Sequence, residues 1–312
     1  MKYRFSAPQP HTRYLRIEAF KENQAEQPLE FRVSSWRPGR YELGNFAKNI
    51  RGMKALGPNG ETLPMHKVEK DCWKIELAPQ GRITLQYEYY AAQPDAGACW
   101  LDAELMYVNP VHCIVFDPRS PEDVYEVELD IPHNWQIACG LPVVNKRIIA
   151  TDLNSLLDSP FFAAKALHHR TYSVNDFNFH IWFHGQVNPD WERILIDFKA
   201  FTQVQLDMMK YFPVADYHFL ILMLPFRFYH GVEHTNSTVL ALGPGVRPRP
   251  VRLLRRDPHH HHRVGSPRPG RGGAAHPHAP RPGTQQRPAQ PGGRRRLPRP
   301  RPARRVRRRG RC

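Results

Sequence analysis

The sequence predicts a β-sandwich-like N-terminal domain in residues 1–165, an incomplete α+β segment in residues 166–245 and a disordered tail rich in Arg and Pro in residues 246–312. Three observations indicate this division. Apolar and polar residues alternate with a period of two in the first part. A helical apolar pattern followed by a short apolar run marks the second part. The third part has no Phe, Tyr, Trp, Ile or Met, so it cannot build a core.

Two segments of the first part show the strand pattern most clearly, Arg82–Tyr89 and Val124–Ile131. Such alternation over eight residues is typical of a half-buried antiparallel strand. The side chains expected to face the core are Ile83, Leu85, Tyr87, Tyr89, Tyr125, Val127, Leu129 and Ile131. Turn signals at 57–60, 78–81 and 117–118 separate such runs. Short strands punctuated by turns predict a sandwich.

The pattern changes after Pro160. Asn188 is a candidate helix cap, with Pro189 at the first helical position, and an apolar face then runs from Trp191 to Phe212. Residues 217–224 follow as a buried strand. The segment is too short to cover that strand and the helix face, so we expect the whole chain to be poorly soluble and the fragment 1–165 to behave better.

Charge and cysteine usage separate the tail from the rest. Residues 1–245 carry 24 Lys and Arg against 28 Asp and Glu, which is an ordinary mildly acidic composition. The five Cys are scattered and the longest apolar run, residues 219–224, is far too short to span a membrane. The first residues contain no apolar leader. These features predict a cytoplasmic protein with buried, reduced thiols and no membrane partner.

The tail allows two interpretations. It holds 21 Arg, no Lys and a single acid, Asp257. Such a segment would bind nucleic acid non-specifically through phosphate contacts, although it has no aromatic residue for base stacking. The same composition is typical of a GC-rich gene translated out of frame. A one-base shift makes five of the six codons from Asp257 to His262 read Ile or Thr, and we favour this interpretation.

Two segments together resemble the glycyl aminopeptidase family of zinc metallopeptidases, metallopeptidase family 61. Residues 36–41, Trp-Arg-Pro-Gly-Arg-Tyr, are similar to the Trp-x-Pro-Gly-x-Tyr signature of that family's N-terminal β domain, and His11 precedes them. Residues 230–237, His-Gly-Val-Glu-His-Thr-Asn-Ser, resemble the Gly-x-Glu-His-x-x-Ser loop that precedes its zinc helix. The resemblance covers residues 1–245.

The resemblance implies a function for each part. Residues 166–245 would begin a thermolysin-like catalytic domain, and the parent enzyme would use zinc to release small N-terminal residues from peptides. Glu233 would bind the α-amino group of the substrate, with Gly231 and His234 beside it. The simpler interpretation is that the Glu233 carboxylate only caps nearby backbone.

The sequence departs from the family at the chemical centre. No His is followed by Glu, so the His-Glu-x-x-His motif is absent, and neither alternative frame of the tail encodes it. We therefore expect no catalytic residue, no metal and no cofactor in this chain, which would be an inactive, truncated or frameshifted peptidase. The competing class is a non-enzymatic β-sandwich binding protein with an arginine-rich nucleic-acid-binding tail.

Other pairs and runs of His in the sequence give little support for a different metal site. His180 and His184 lie in an alternating segment, where four residues of strand span roughly 13 Å, too far for one zinc ion. His230 and His234 flank a Gly-containing loop rather than a helix. The run His259–His262 lies in the Arg and Pro tract and is a compositional accident in our interpretation.

Overall fold

The computed structural model describes residues 1–37, 43–121 and 123–244. Within these ranges the chain forms strands joined by short turns, three 3-10 helices (Pro10–Thr12, Phe46–Asn49 and Pro110–His112) and two α-helices, α1 (Leu153–Leu157) and α2 (Trp191–Met209). In chain order the strands are β1 (Lys2–Ser6), β2 (Tyr14–Asn23), β3 (Gln27–Val33), β4 (Ile50–Leu56), β5 (Thr62–Leu63), β6 (His66–Glu69), β7 (Cys72–Ala78), β8 (Gly81–Tyr90), β9 (Trp100–Leu101), β10 (Leu105–Val108), β11 (Val115–Phe116), β12 (Tyr125–Asp130), β13 (Gln136–Cys139), β14 (Val143–Val144), β15 (Arg147–Ala150), β16 (Phe161–Ala164), β17 (His168–Val174), β18 (Phe177–His184), β19 (Asp216–Met223), β20 (Tyr229–Glu233) and β21 (Ser237–Leu242).

The first part of the chain is rich in β-structure, as the alternation predicts. An eight-stranded sheet has the order β14-β15-β12-β1-β2-β8-β4-β5, and a four-stranded sheet has the order β11-β3-β7-β6. The two sheets share one core, in which Phe5 and Tyr87 from the larger sheet meet Phe31 and Ile75 from the smaller one. Every residue predicted to face inward from β8 and β12 is buried, so both strand predictions are confirmed.

A second four-stranded sheet, β13-β16-β10-β9, is buried on both faces. Successive residues of a strand point to opposite sides of a sheet, so each strand contributes to two cores. Phe161 and Met106 face the sandwich core, whereas the neighbouring Phe162 and Tyr107 face the opposite way. This explains why β10 and β16 read as continuous apolar runs rather than as alternating ones.

A five-stranded sheet follows in the order β17-β18-β19-β21-β20. One face packs against the second four-stranded sheet, with Leu220 and Val239 against Tyr107 and Phe162. Helix α2 covers the other face, where Leu206 packs with residues of β18 and β19. In the described part of the chain, strand β20 pairs only with β21 and forms an edge of this sheet.

Helix α2 differs in detail from the sequence prediction. Asp190, not Asn188, caps it, because the Asp190 carboxylate accepts a hydrogen bond from the backbone N–H of Arg193 at 3.2 Å. The helix ends at Met209, and Lys210 follows in the left-handed conformation at φ 58°. Met208 was expected on the buried face but is 75% exposed. Several apolar residues of the helix lie outside the face that packs on the sheet. The periodic pattern alone therefore does not show which face of the helix is buried.

The expectation that the central strand of the second part is left uncovered is wrong. Residues 218–222 of β19 are buried, because the strand is covered by α2 on one face and by the β10–β16 layer on the other. The domain boundary at residues 165 and 166 stays a prediction, and the predicted tail lies outside the described residues. In the described ranges, no helix has both the length and the apolarity that crossing a membrane requires.

We predict that the fragment 1–165 aggregates more readily than the fragment 1–244. Removing the five-stranded sheet would expose Leu105, Tyr107 and Phe162, which are fully buried in the longer chain. Light scattering after size-exclusion chromatography and binding of a hydrophobic dye would measure the difference. Equal monomer fractions and equal dye binding for both fragments would contradict the packing of the five-stranded sheet against the β13-β16-β10-β9 sheet.

Candidate functional site

A cavity of about 730 Å³ brings together the two segments that carry the family resemblance. Trp36 and Arg37 line it from the first segment, and residues 232–236 line it from the second. Asn109, Asp158 and Ser159 contribute from the β-rich part. Pro38–Glu42, which complete the first motif, lie outside the described residues. Segments roughly two hundred residues apart in the chain therefore meet at one surface.

The residues predicted to bind substrate lie on the edge strand rather than in a loop. Gly231 and Glu233 belong to β20, and His234 follows directly after it. The Glu233 side chain is exposed, and in the described part of the chain no ion pair or side-chain hydrogen bond engages its carboxylate. A Cβ at position 231 would lie 3.1 Å from the Leu240 side chain. The predicted contacts with substrate stay predictions.

Asp158 holds the turn between β20 and β21. Its carboxylate accepts hydrogen bonds from His234 Nδ1 at 2.8 Å, from the backbone N–H of Thr235 at 2.9 Å and from the Thr235 hydroxyl at 2.8 Å. Burial acts to raise the pKa of Asp158, but the hydrogen bonds from His234 and Thr235 outweigh it and hold that pKa below its usual value. The carboxylate is therefore ionised at neutral pH.

Polar atoms without hydrogen-bond partners surround this turn. The imidazole Nε2 of His234, the Oδ1 of Asn236 and both side-chain atoms of Asn109 are buried, and none has a partner in the described part of the chain. Buried polar groups are almost always hydrogen-bonded to protein, to ordered water or to a ligand. These atoms belong to residues that line the cavity, but they are themselves almost completely buried.

The sequence analysis missed three of these residues. Asp158 and Asn109 sit in segments with no motif, so nothing in the sequence alone marks them. Asn236 lies inside the resembling segment 230–237 and could have been included for that reason. Its side chain fits only because residue 140 is Gly, since a Cβ there would overlap the Asn236 amide.

A cluster of aromatic and imidazole rings lies on strands β17, β18 and β19 of the five-stranded sheet, close to the cavity. The rings of His169 and Trp182 stack at 3.5 Å, and those of His180 and His218 stack at 4.3 Å. His180 Nε2 lies 3.3 Å from Asp216, which also lines the cavity. Burial lowers the pKa of His169 to about 4 and that of His218 to about 3, with the nearby His180 acting in the same direction.

The described residues do not assemble a zinc site of the kind that the resemblance implies. Among the described residues, no group of three or more His, Cys, Asp or Glu side chains is arranged to hold a metal ion. His180 and His184 lie on strand β18, as the alternation predicts. His230 and His234 have different carboxylate partners, Asp95 at 3.7 Å and Asp158 at 2.8 Å. The run His259–His262 lies outside the described part.

The fold of the described residues is shared with solved structures. The structure is similar to that of an aminopeptidase N family protein from Idiomarina loihiensis, with a TM-score of 0.72 and 23% sequence identity over 78% of this chain and 42% of that one. An M1 zinc metallopeptidase from Deinococcus radiodurans is more distant, with a TM-score of 0.44 and 14% identity over 77% of this chain and 59% of that one. This chain therefore spans about two fifths to three fifths of the length of these proteins.

Sequence comparison identifies the family. The profile of the Peptidase M61 N-terminal domain matches residues 2–165, which is more than half of the chain. The chain belongs to the peptidase M61 family, and the resemblance inferred from the two motifs is confirmed. No curated protein matches the chain. Neither comparison supports nucleic-acid binding.

We predict that stability falls between about pH 6.5 and pH 4 because of the ring cluster. A His whose pKa is lower in the folded state than in the unfolded state stabilises the fold fully above pH 6.5, and this contribution is lost as the pH falls towards the folded pKa. For the buried His218 the loss is on the order of a few kcal/mol.

Urea unfolding at several pH values would measure this loss, and His218→Gln is the matched variant, because Gln keeps an acceptor for the Trp182 Nε1–H group. The variant should show a shallower decline between pH 6.5 and pH 4. The carboxylates with lowered pKa values act mainly below this window. Identical profiles for both proteins would rule out this role of His218.

Proposed function

We propose that this chain forms the N-terminal and substrate-binding part of an M61 aminopeptidase, in which the cavity receives the free α-amino group of a peptide. The observation that carries the proposal is that Trp36 and Arg37 of the first motif and residues 232–236 of the second line one cavity. Val232 of the second segment also packs against the apolar cluster of the β10–β16 layer, which places this segment beside the β-rich part.

Glu233 supplies the charge that this role needs. Its carboxylate is exposed at the cavity and makes no ion pair with a described residue, although the Arg37 side chain lines the same cavity. Strand β20 leaves one edge unpaired in the described part of the chain, so an extended peptide could add to the sheet with main-chain hydrogen bonds. A peptide lying on this edge would bring its first residue to the end of the strand where Glu233 lies.

The resemblance supports further parts of the proposal. Residues 1–165 would form the N-terminal domain and residues 166–245 the start of a thermolysin-like catalytic domain. The substrates would be peptides with small N-terminal residues such as Gly or Ala, and the zinc of the parent enzyme would activate the attacking water. The four Cys in the described part are free and buried, which supports a cytoplasmic location.

We further propose that the 312-residue polypeptide does not hydrolyse peptides, and that residues 246–312 are translated out of frame. The sequence has no His-Glu-x-x-His motif to hold zinc and supply a general base. The abrupt change to 21 Arg with no Lys supports a change of frame. Phe, Tyr, Trp, Ile and Met are all absent from the same point onward.

We predict that Glu233→Gln weakens binding of glycinamide by about tenfold or more. The substitution removes the charge that would pair with the ammonium group but keeps the shape of the side chain. Isothermal titration calorimetry with the full chain would measure the dissociation constant. Glu26→Gln is the matched control, because Glu26 is equally exposed but lies away from the cavity.

Two results would contradict the anchoring role. Wild-type protein that does not bind glycinamide would overturn the proposed function. Equal affinity of the Glu233→Gln protein and the wild-type protein for glycinamide would exclude Glu233 as the anchor. N-acetylglycinamide, which has no ammonium group, is the control ligand and should bind to neither protein.

We predict that the purified chain releases no glycine from a chromogenic glycine amide, with or without added zinc. Sequencing the gene from codon 235 past its stop should show coding for a peptidase in another frame, with either a second frame change or decay of the gene before the zinc helix. Glycine release that a chelator abolishes would overturn the proposed inactivity. A confirmed single frame without such coding downstream would overturn the out-of-frame origin of the tail.

A further inference from the structure

Helix α2 carries apolar side chains on a face that does not pack on the sheet. Phe201, Val204 and Met208 follow one another at intervals of three and four residues, which places them along one line of the helix. Val204 is 60% exposed, and Tyr211, two residues beyond the end of the helix, is 74% exposed. We call these four residues the α2 stripe. Contiguous apolar surface of this kind is unusual in a monomeric protein and marks an interaction site.

The stripe is separate from the packed face of the helix, but one of its residues is held by the core. Thr202 and Leu206 are the buried residues of α2, and Leu206 belongs to the cluster that joins the helix to the sheet. Phe201 is 38% exposed, and its ring centroid lies 4.9 Å from that of Phe198 and 6.0 Å from that of Phe219. A ring that the core already holds on one side loses little conformational entropy when its other side is covered, which favours binding.

Charges of opposite sign lie at the two ends of the stripe. Asp197 lies one helical turn before Phe201, and its exposed ion pair with Arg193, at 3.6 Å, contributes little to stability. Lys210 follows the helix directly, is exposed and makes no ion pair within the described part of the chain. At 1.5 Å per residue, Asp197 lies about 10 Å before Val204 along the helix axis, and Lys210 lies about 9 Å after it. The stripe therefore has an apolar centre, an acid at one end and a base at the other.

This pattern is complementary to itself when two copies of the helix run antiparallel. A two-fold axis through Val204 brings Asp197 of one copy beside Lys210 of the other, and the symmetry repeats this contact. The same axis brings Phe201 close to Met208 of the second copy, because these residues lie about 4.5 Å before and about 6 Å after Val204. A parallel arrangement would instead place like charges together and would align the helix dipoles unfavourably.

We propose that the α2 stripe is the contact surface of a homodimer, in which the α2 helices of two copies of this chain pack antiparallel. The apolar residues provide the contact, and the charged ends determine the direction of the helices. One helix face is small beside the roughly 1,600 Å² that a standard stable interface buries, so we expect reversible association with a dissociation constant on the order of 10 μM. The inference is independent of the proposed function, since no residue of the stripe lines the cavity.

Sedimentation velocity of the full chain, over about a hundredfold range of concentration around that value, tests the dimer. The protein is treated with nuclease first, because nucleic acid bound to the Arg-rich residues would join copies by another route. Physiological ionic strength limits repulsion between charges more than about 8 Å apart. We expect the wild-type chain to change reversibly from monomer to dimer as its concentration rises.

Two matched variants locate the contact. Val204→Glu places two like charges at the axis and should weaken the dimer at least tenfold. Ile196→Glu is the control, because Ile196 is 62% exposed on the same helix but lies roughly 110° around its axis from the stripe. This control should dimerise like the wild-type chain, and thermal unfolding verifies that both variants are folded. A wild-type chain that stays monomeric over the whole range, or equal dimerisation of the two variants, would overturn the proposed dimer.

Charge reversal tests the direction of the helices. Asp197→Lys places a cation beside Lys210 of the second copy, and Lys210→Asp places an anion beside Asp197. Each single variant should weaken the dimer about fivefold, because an exposed ion pair is worth up to about 1 kcal/mol and the contact occurs twice. The double variant restores opposite charges and should recover most of the wild-type affinity. A double variant as weak as the single variants would exclude the antiparallel arrangement.

Discussion

The structure depends on one layer, the four-stranded sheet β13-β16-β10-β9, which is buried on both faces. The adjacent residues Phe161 and Phe162 point into different cores, so a single strand joins the sandwich to the five-stranded sheet. Burying an aromatic side chain contributes about 2–3 kcal/mol, and several such residues meet in this layer. Because the layer fixes how the two parts dock, it also places the end of α1 beside the turn that follows β20.

Docking through an apolar layer makes a polar site between the two parts possible. The Asp158 carboxylate lies 76 residues before His234 in sequence, and the hydrogen bonds between them form only after the two parts have packed. A fully solvated carboxylate would only exchange hydrogen bonds with water for hydrogen bonds with protein, with little net gain in the free energy of folding. At the partly buried junction the same bonds fix the tautomer of the His234 ring and the conformation of the turn. They therefore matter for the local structure even though their net contribution to stability is small.

The elements that sequence analysis predicted well are those whose signal is local. The alternation in β8 and β12 and the apolar run of β19 identified strands that the structure confirms. The helix was found, but its cap was placed two residues early, because Asn188 and Asp190 are equally good cap residues in sequence. Coverage of β19 could not be predicted, since Tyr107 and Phe162 are too far away in the chain to enter any local pattern. For the same reason, no local sequence pattern could assign Asp158 to the candidate site.

In the proposed function, binding and catalysis depend on different parts of the sequence. The buried Asn236 Oδ1 has no hydrogen-bond partner in the described part of the chain, which destabilises the folded state, whereas the Nδ2–H group of the same side chain donates to Ser159 Oγ at 3.1 Å. Gly140 leaves room for the Asn236 amide, so the neighbouring chain accommodates the group rather than excluding it. In the proposed function, recognition of an amino terminus depends on Glu233 at the end of β20, whereas the hydrolytic step would need a His-Glu-x-x-His motif that this sequence does not contain.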